Sequence, residues 1–379
     1  MTPSAEHEAF RDGVRRFVER EIAPNIAEWD EAETFPRSLY RRAAELGLLG
    51  LGYPQAYGGT PADGWYRLIA TEEIARAGSG GLMASLFSHN IGLPPIVAHA
   101  SEALQRRVVP DVLAGEKIAA LAITEPSGGS DVARLRCKAR RDGSDWVIDG
   151  EKTFITSGLR ADWITLAVRT GGPGAGGISL LAVPGDAPGL SRTPLSKMGW
   201  WCSDTAQLRF DSCRVPADHL IGAENAGFRM IMENFNGERL LLSGGACEFA
   251  QVCYDEALDW ARQRQTFGAS LVKHQVVRHR LMDMRMRIAS TRAWLHALVE
   301  RQESGQASQP DWVAELCLLK NHATQTMQFC ADAAVQILGG MGFMRGTKSE
   351  RIYREVKVMM IGGGAEEIMK ELAARQSGI

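Results

Sequence analysis

A chain of 379 residues with 45% apolar and 23% charged residues is long enough for two or three domains with large cores, and this composition excludes a disordered protein. The formal net charge of −2 provides no overall field for nucleic acid or anionic lipid, so an anionic ligand would have to be held by local basic groups. No stretch approaches the roughly 20 apolar residues that span a bilayer.

The N-terminal part of the chain, residues 1–117, has the apolar periodicity of helices. Apolar side chains recur on one face between Phe10 and Val18, and Pro36 stands near the start of a second predicted helix. Two more helices are predicted over residues 65–77 and 82–99. We therefore expect an N-terminal α domain.

Between residues 118 and 222 the apolar period changes to two and glycines become frequent, which indicates a β domain. Strands are predicted over residues 163–168, 178–183 and 207–210. The pairs Asp142-Gly143 and Asp149-Gly150 predict tight turns on either side of a strand at Trp146 to Ile148.

The remaining residues, 223–379, return to long amphipathic helices. These are predicted over residues 237–264, 274–302, 311–338 and 366–375, and their lengths favour an antiparallel four-helix bundle. The fold class is therefore α+β, with a β domain between two helical domains.

Two features concern the compartment and the redox state. The first eight residues have neither an apolar core nor an arginine-rich amphipathic pattern, so we expect a cytoplasmic protein. The seven cysteines are an odd number and form no CxxC pair, which favours buried reduced thiols over disulfides or a zinc site. We expect no metal.

The stretch from Leu121 to Gly158 combines short hydroxyl side chains with glycines. Thr124, Ser130 and Thr156 supply hydroxyl groups, and Gly129 lets backbone N–H groups approach a planar ring and its phosphate tail. This combination is typical of a flavin cradle. A Gly/Ser-rich turn more often only connects strands, so other segments have to support this interpretation.

Glu238 is the candidate general base. On a helix it shares one face with the apolar residues Leu241, Leu242 and Phe249. Burial of a carboxylate in such a stripe raises its pKa, which suits a general base. The alternative is a structural glutamate that is paired with a cation.

Five segments resemble, in order and spacing, those of the acyl-CoA dehydrogenases. They are the cradle, residues 235–242, residues 264–275, residues 336–343 and residues 361–368. Most family members carry the catalytic glutamate in a Tyr-Glu-Gly-Thr motif, and in this sequence Gly363 occupies its position. The chain is similar to the long-chain and isovaleryl-type branches, in which the base lies on a helix of the C-terminal domain, where Glu238 stands.

The resemblance implies catalytic roles for Glu238 and for the backbone N–H of Gly363, which would bind the thioester oxygen. It implies FAD contacts at Leu121, Ile123, Thr124, Gly129, Ser130, Phe154, Ile155, Thr156, Arg264, Thr266, Phe267, Gln275, Gln336, Ile337, Gly339, Gly340, Ala365 and Glu367. It implies substrate contacts at Ser130, Asn236, Arg239 and Gly364, although Arg239 could be an ordinary surface arginine.

The implied reaction is FAD-dependent oxidation of an acyl-CoA to 2-enoyl-CoA in fatty acid degradation, with hydride passing from Cβ to flavin N5. A homo-oligomer, dimer or tetramer, whose flavin site is completed by the neighbouring subunit, and an electron-transferring flavoprotein are the implied partners. The glycines at 362 and 363 favour a long or branched acyl chain. The alternatives are oxidase or monooxygenase chemistry, a carrier-protein-bound substrate and a non-catalytic DNA-associated protein.

Overall fold

A computed structural model describes residues 3–307 and 309–379. The predicted order of a helical, a β and a second helical domain is confirmed. The described residues of the N-terminal part form eight α-helices: α1 Ala5–Phe17, α2 Ile26–Glu31, α3 Ser38–Glu45, α4 Gly64–Ala75, α5 Gly80–Leu86, α6 His89–Gly92, α7 Pro94–His99 and α8 Glu102–Leu113. Ser4 caps α1 by accepting a hydrogen bond from the backbone N–H of His7.

The predicted single helix over residues 82–99 is wrong, because this segment contains the three short helices α5, α6 and α7. Pro94 starts α7 and has no backbone N–H to continue a preceding helix. Gly92 ends α6 and lies close to β1, because a Cβ atom built on Gly92 would lie 3.2 Å from the backbone of Ala119. The segment therefore bends closely around the first strand of the β domain.

The middle part holds eight strands: β1 Ala119–Ala122, β2 Lys138–Asp142, β3 Asp145–Thr156, β4 Trp163–Arg169, β5 Ile178–Pro184, β6 Leu190–Pro194, β7 Thr205–Pro216 and β8 Leu220–Ile221. The strand order is β6-β7-β3-β2-β4-β5-β8, and β1 runs parallel to β4. The three predicted strands lie within β4, β5 and β7.

Asp142-Gly143 connects β2 to β3, as predicted, but Asp149-Gly150 forms no turn. Strand β3 continues through Gly150 to Thr156, and its register against β7 shifts between Ile148 and Gly150. A Cβ atom at Gly150 would lie 2.7 Å from Cα of Cys137. The glycine therefore marks a bulge where two backbones approach closely.

The C-terminal part consists of α9 Gly227–Gln263, the short hairpin β9 Gln265–Thr266 and β10 Ala269–Ser270, α10 Gln275–Glu303, α11 Pro310–Leu338, α12 Gly340–Phe343, α13 Lys348–Ile361 and α14 Glu366–Gln376. Helix α13 packs against α9 and α11 and is the fourth helix of the bundle. The segment predicted for that place, residues 366–375, is α14, which packs on α11.

Helix α9 starts at Gly227 rather than near Gly237, because Met230 and Ile231 pack into the core between the sheet and the N-terminal helices and extend α9. Further along, Ala246 and Phe249 lie in the core of the helical domains. All seven cysteines are free and buried, as predicted. Within the described residues, no helix combines the length and the apolar character of a membrane span.

Candidate active site

Glu238 lies on α9 and faces the loop between α13 and α14. A Cβ atom built on Gly363 would lie 3.8 Å from Oε1 of Glu238 and 3.6 Å from Cδ1 of Leu242. A side chain at position 363 and the side chain of Glu238 would therefore reach into the same space. The structure brings these two residues together, although 125 positions separate them in the sequence.

Burial raises the pKa of Glu238, and the positive charges of Arg239 and Lys320 only partly oppose this effect. The carboxylate has no hydrogen bond and no ion pair with any residue in the described part of the chain. By contrast, the buried carboxylate of Glu248 pairs with Arg76 and Arg292. Glu238 is therefore placed to exchange a proton with a bound molecule.

The loop opposite Glu238, residues 362–365, is called the glycine loop here and is held by two cations. Arg239 donates from Nε to the carbonyl oxygen of Gly363 at 3.0 Å, and Lys320 donates from Nζ to the carbonyl oxygens of Met360 and Gly364, both at 2.7 Å. Gly363 has a φ of +66° and Gly364 a φ of +115°, values that glycine adopts without strain. Within residues 3–307 and 309–379 the N–H groups of these two glycines have no partner, so they are available as donors.

Arg239 is buried, with 5% of its surface exposed, and is not an ordinary surface arginine. Its Nη1 donates to Oδ1 of Asn236 at 3.1 Å, and its guanidinium lies 5.6 Å from the centre of the Phe235 ring. Arg239 and Asn236 thus lie beside Glu238 on α9. Their predicted contacts with substrate stay predictions.

The predicted cradle forms one surface of the β domain. The N–H of Thr153 donates to the carbonyl of Thr124 at 2.9 Å, which joins the loop after β1 to the end of β3. Gly129 packs on the Thr124 side chain, where a Cβ atom would lie 3.1 Å from Cγ2. Phe154 adopts a φ of +61° and is 69% exposed. Ser130, which follows Gly129 in the sequence, is also exposed. Ile123 and Ile155 are buried and support this surface from below.

A buried ion pair lies beneath the cradle. Lys152 donates from Nζ to Oε1 of Glu125 and to the carbonyl of Ile123, each at 2.9 Å. The same carboxylate accepts from the N–H groups of Arg136 at 2.6 Å and Cys137 at 2.8 Å. Burial works against the charge of Glu125, but Lys152 and these two N–H groups hold its pKa below the ordinary value. The pair fixes the start of the Gly/Ser-rich loop.

Most of the other predicted cofactor residues lie on the surface of the C-terminal domain. This surface group consists of Arg264, Thr266, Phe267, Gln275, Gln336, Ile337, Gly339 and Gly340. Phe267 is 100% exposed, and no hydrogen bond connects the group with the cradle within the described part of the chain. Ala365 and Glu367 flank the start of α14, at the end of the glycine loop. Their roles stay predictions.

Two buried lysines, Lys152 and Lys320, were not predicted. Lys320 stands on a buried stripe of α11 between Leu316, Cys317 and Thr324. A single charge in an apolar helical stripe is the pattern that singled out Glu238, and the same criterion applied to α11 would have found Lys320. Lys152 lies in a strand with few apolar neighbours in sequence, where no such pattern exists.

Comparison with known proteins gives consistent matches along the whole chain. Three family models match: acyl-CoA dehydrogenase N-terminal domain over residues 4–116, middle domain over residues 120–213 and C-terminal domain over residues 225–378. The chain is 35% identical to the mitochondrial long-chain specific acyl-CoA dehydrogenase of Sus scrofa, covering 98% of this chain and 86% of the relative.

It is also 33% identical to the mitochondrial isovaleryl-CoA dehydrogenase of Oryza sativa subsp. japonica, covering 97% of this chain and 90% of the relative. Among solved structures, a probable acyl-CoA dehydrogenase from Mycobacterium abscessus is 47% identical and superimposes with a TM-score of 0.96, covering 99% of both chains.

Proposed function

The chain belongs to the acyl-CoA dehydrogenase family of enzymes, and we propose that it oxidises the Cα–Cβ bond of an acyl-CoA thioester with Glu238 as the general base. The observation that carries this proposal is the Glu238 carboxylate, which has no bonded partner and faces Gly363. A side chain at position 363 would reach the space that the Glu238 carboxylate occupies. A base at one of these two positions makes a second at the other unnecessary.

In this reaction Glu238 takes the α-proton, and the electron pair of the Cα–H bond forms the double bond while the hydrogen at Cβ leaves with its own pair. The developing negative charge on the thioester oxygen needs hydrogen-bond donors. The free N–H of Gly363 is the donor we assign to it, and Arg239 fixes this loop by its bond to the Gly363 carbonyl. The raised pKa of Glu238 makes its carboxylate a stronger base.

The residues of the cradle fit FAD. Exposed Gly129 leaves its backbone N–H accessible, Thr124, Ser130 and Thr156 offer hydroxyls, and exposed Phe154 offers an aromatic face to a planar ring. When bound, FAD supplies the two-electron acceptor that this oxidation requires. We assign the remaining predicted cofactor contacts to the surface group of the C-terminal domain.

A long or branched acyl chain is the substrate we favour. Gly362 and Gly363 remove the side chains that most family members carry beside the reacting carbons, which widens the site. Two of the relatives are named for long-chain acyl-CoA and isovaleryl-CoA, in agreement with this preference. An electron-transferring flavoprotein is the acceptor that we expect to reoxidise the enzyme.

The test is an anaerobic titration of wild type and Glu238→Gln with straight and branched acyl-CoAs, followed by flavin bleaching. We expect wild type to bleach and Glu238→Gln to retain FAD but bleach at least ~100-fold more slowly. Equal rates would show that the base lies elsewhere. Bleaching of neither protein, with rapid reaction of the reduced flavin with oxygen, would favour oxidase or monooxygenase chemistry.

A homo-oligomer is the second part of the proposal. Phe267, Phe343 and Val276 are 100%, 87% and 75% exposed, which is unusual for large apolar side chains. We expect Phe267→Asp to reduce both the oligomeric mass in sedimentation and the FAD content, because the surface group would serve the neighbouring cradle. Leu46→Asp, on the N-terminal domain and 43% exposed, is the control. Unchanged mass and FAD content in Phe267→Asp would contradict this part.

A further inference from the structure

Lys320 lies beneath the glycine loop without access to solvent. Its side chain is 0% exposed, and all the hydrogen bonds of its ammonium group go to backbone carbonyls, those of Met360 and Gly364. One carbonyl belongs to the end of α13 and the other precedes α14. A single side chain thus ties together the two ends of the loop that faces Glu238.

The charge of Lys320 is not neutralised by a bonded carboxylate. Within the described residues no Asp or Glu oxygen lies within 4.0 Å of its Nζ. Glu366, the acid that faces it from α14, is bonded to Lys370 and Gln325. The other groups around it are Glu238 and Arg239 on α9 and Cys317 on its own helix.

The loop geometry follows from these bonds. In a trans peptide the C=O and the N–H point to opposite sides. Because the carbonyl of Gly364 points to Lys320 and that of Gly363 to Arg239, the N–H groups of Ala365 and Gly364 point away from these two cations. The two cations therefore fix the direction of these two peptide groups, with the carbonyls toward Arg239 and Lys320 and the N–H groups of Gly364 and Ala365 away from them.

We propose that Lys320 is a positioning residue that holds the glycine loop against Glu238 and places a buried positive charge behind this base. The proposal rests on the function proposed for Glu238. Lys320 does not touch the substrate; it acts through the loop backbone and through its charge.

The electrostatic consequence concerns the ionised form of Glu238. Burial and the neighbouring Arg239 lower the pKa of Lys320 to about 8, so it is mostly protonated at neutral pH. A cation behind the carboxylate stabilises the ionised, proton-accepting state against the desolvation that burial causes. Without Lys320, Glu238 would stay protonated to a higher pH.

The test compares Lys320→Met and Lys320→Gln, which remove the charge, with Lys320→Arg, which keeps it. The glutamine side chain retains an N–H donor for the loop carbonyls, so Lys320→Gln replaces Lys320→Met in the test if the methionine variant does not fold. Lys357→Met, on the exposed face of α13, is the matched control. The flavin content and the melting temperature establish that each variant is folded.

The first readout is the carboxyl infrared band of Glu238, obtained as the difference from a Glu238→Gln protein of the same background and followed against pH without substrate. We expect the midpoint in Lys320→Met and Lys320→Gln to rise by about one pH unit. Lys320→Arg and Lys357→Met should titrate like wild type. A midpoint in folded Lys320→Met or Lys320→Gln equal to that of wild type would overturn the proposal.

The second readout is the pH profile of kcat/KM, in which the acidic limb should shift in the same direction and by the same amount. The two readouts separate the two proposals. If wild type oxidises no acyl-CoA but the infrared midpoint shifts, the proposed function fails and the role of Lys320 stands. If wild type is active and the midpoint does not move, only the role of Lys320 fails.

Discussion

The molecule contains two buried lysines, each near a glutamate, one beneath the cradle and one beside the glycine loop. Lys152 bonds directly to Glu125 at 2.9 Å, and two backbone N–H groups donate further hydrogen bonds to the same carboxylate. Lys320 gives its hydrogen bonds to carbonyl groups and leaves Glu238 without a bonded partner. Burial disfavours the charge on both acids, yet the pKa of Glu125 is lowered and that of Glu238 is raised.

This difference shows what separates a structural carboxylate from a reactive one. Burial acts on both acids, but the bonds that stabilise the Glu125 anion lower its pKa, whereas Glu238 lacks such bonds and its pKa is raised. In the cradle, Lys152 bonds to the Glu125 carboxylate and to the carbonyl of Ile123, and these bonds fix the start of the Gly/Ser-rich loop. At the glycine loop the lysine stabilises the backbone instead, and the acid stays free to take a proton.

The largest effect is expected where the bonded pair is broken. Lys152→Met should lower the free energy of unfolding by about 3–5 kcal/mol, because it leaves the Glu125 charge buried without its cation. Urea denaturation measures this loss. Lys138→Met, an exposed lysine on β2, is the control and should change stability little. A loss in Lys152→Met as small as that in the control would show that the pair contributes nothing.

A third buried carboxylate sharpens the comparison. Burial raises the pKa of Glu355 to about 7, although Glu355 accepts hydrogen bonds from the N–H groups of Gly80 and Gly81 at 2.7 and 3.4 Å. Because its folded pKa lies above the unfolded value of 4.5, its contribution to stability is complete below about pH 4.5 and is lost as the pH rises through about 7.

Glu355→Gln should therefore remove up to about 3 kcal/mol of this decline between pH 4.5 and 7 in denaturation curves. It should leave the rate of flavin bleaching within about threefold of wild type, because a raised pKa without an open site does not make a base. The same pH slope in the variant and in wild type would assign the decline to another group, such as Glu248, whose pKa burial also raises to about 7.

The smallest effect concerns the exchange of the base between its two positions. In a Glu238→Gln background, Gly363→Glu should restore bleaching at least about tenfold, because its Cβ would lie near the former carboxylate. The gain should stay below wild type, since the φ of +66° at position 363 strains any residue but glycine. Gly362→Glu, one position earlier, is the control. Equal rates in both double variants would contradict the geometric argument.

Glu238 and Gly363 could be assigned to one predicted site because a carboxylate stood out in an apolar stripe and because the family resemblance identified the glycine that replaces the usual glutamate. The helical and β domains followed from the change of period. Helix α13 was missed because charges crowd its sequence, although Ile352, Val356 and Met359 form a buried stripe. The bond from Lys320 to the loop could not be predicted, because it depends on the direction of backbone carbonyls.

Helix α9 has a mechanical consequence. Its 37 residues form a rod of about 55 Å. Near its start Ile231 packs into the core between the sheet and the N-terminal helices, and from Phe249 to Ala261 it packs in the core of the helical domains. Glu238 lies between these two anchors. The position of the base relative to the core at Ile231 is therefore set by continuous helix, and a hinge between the two domains could not change it without breaking that helix.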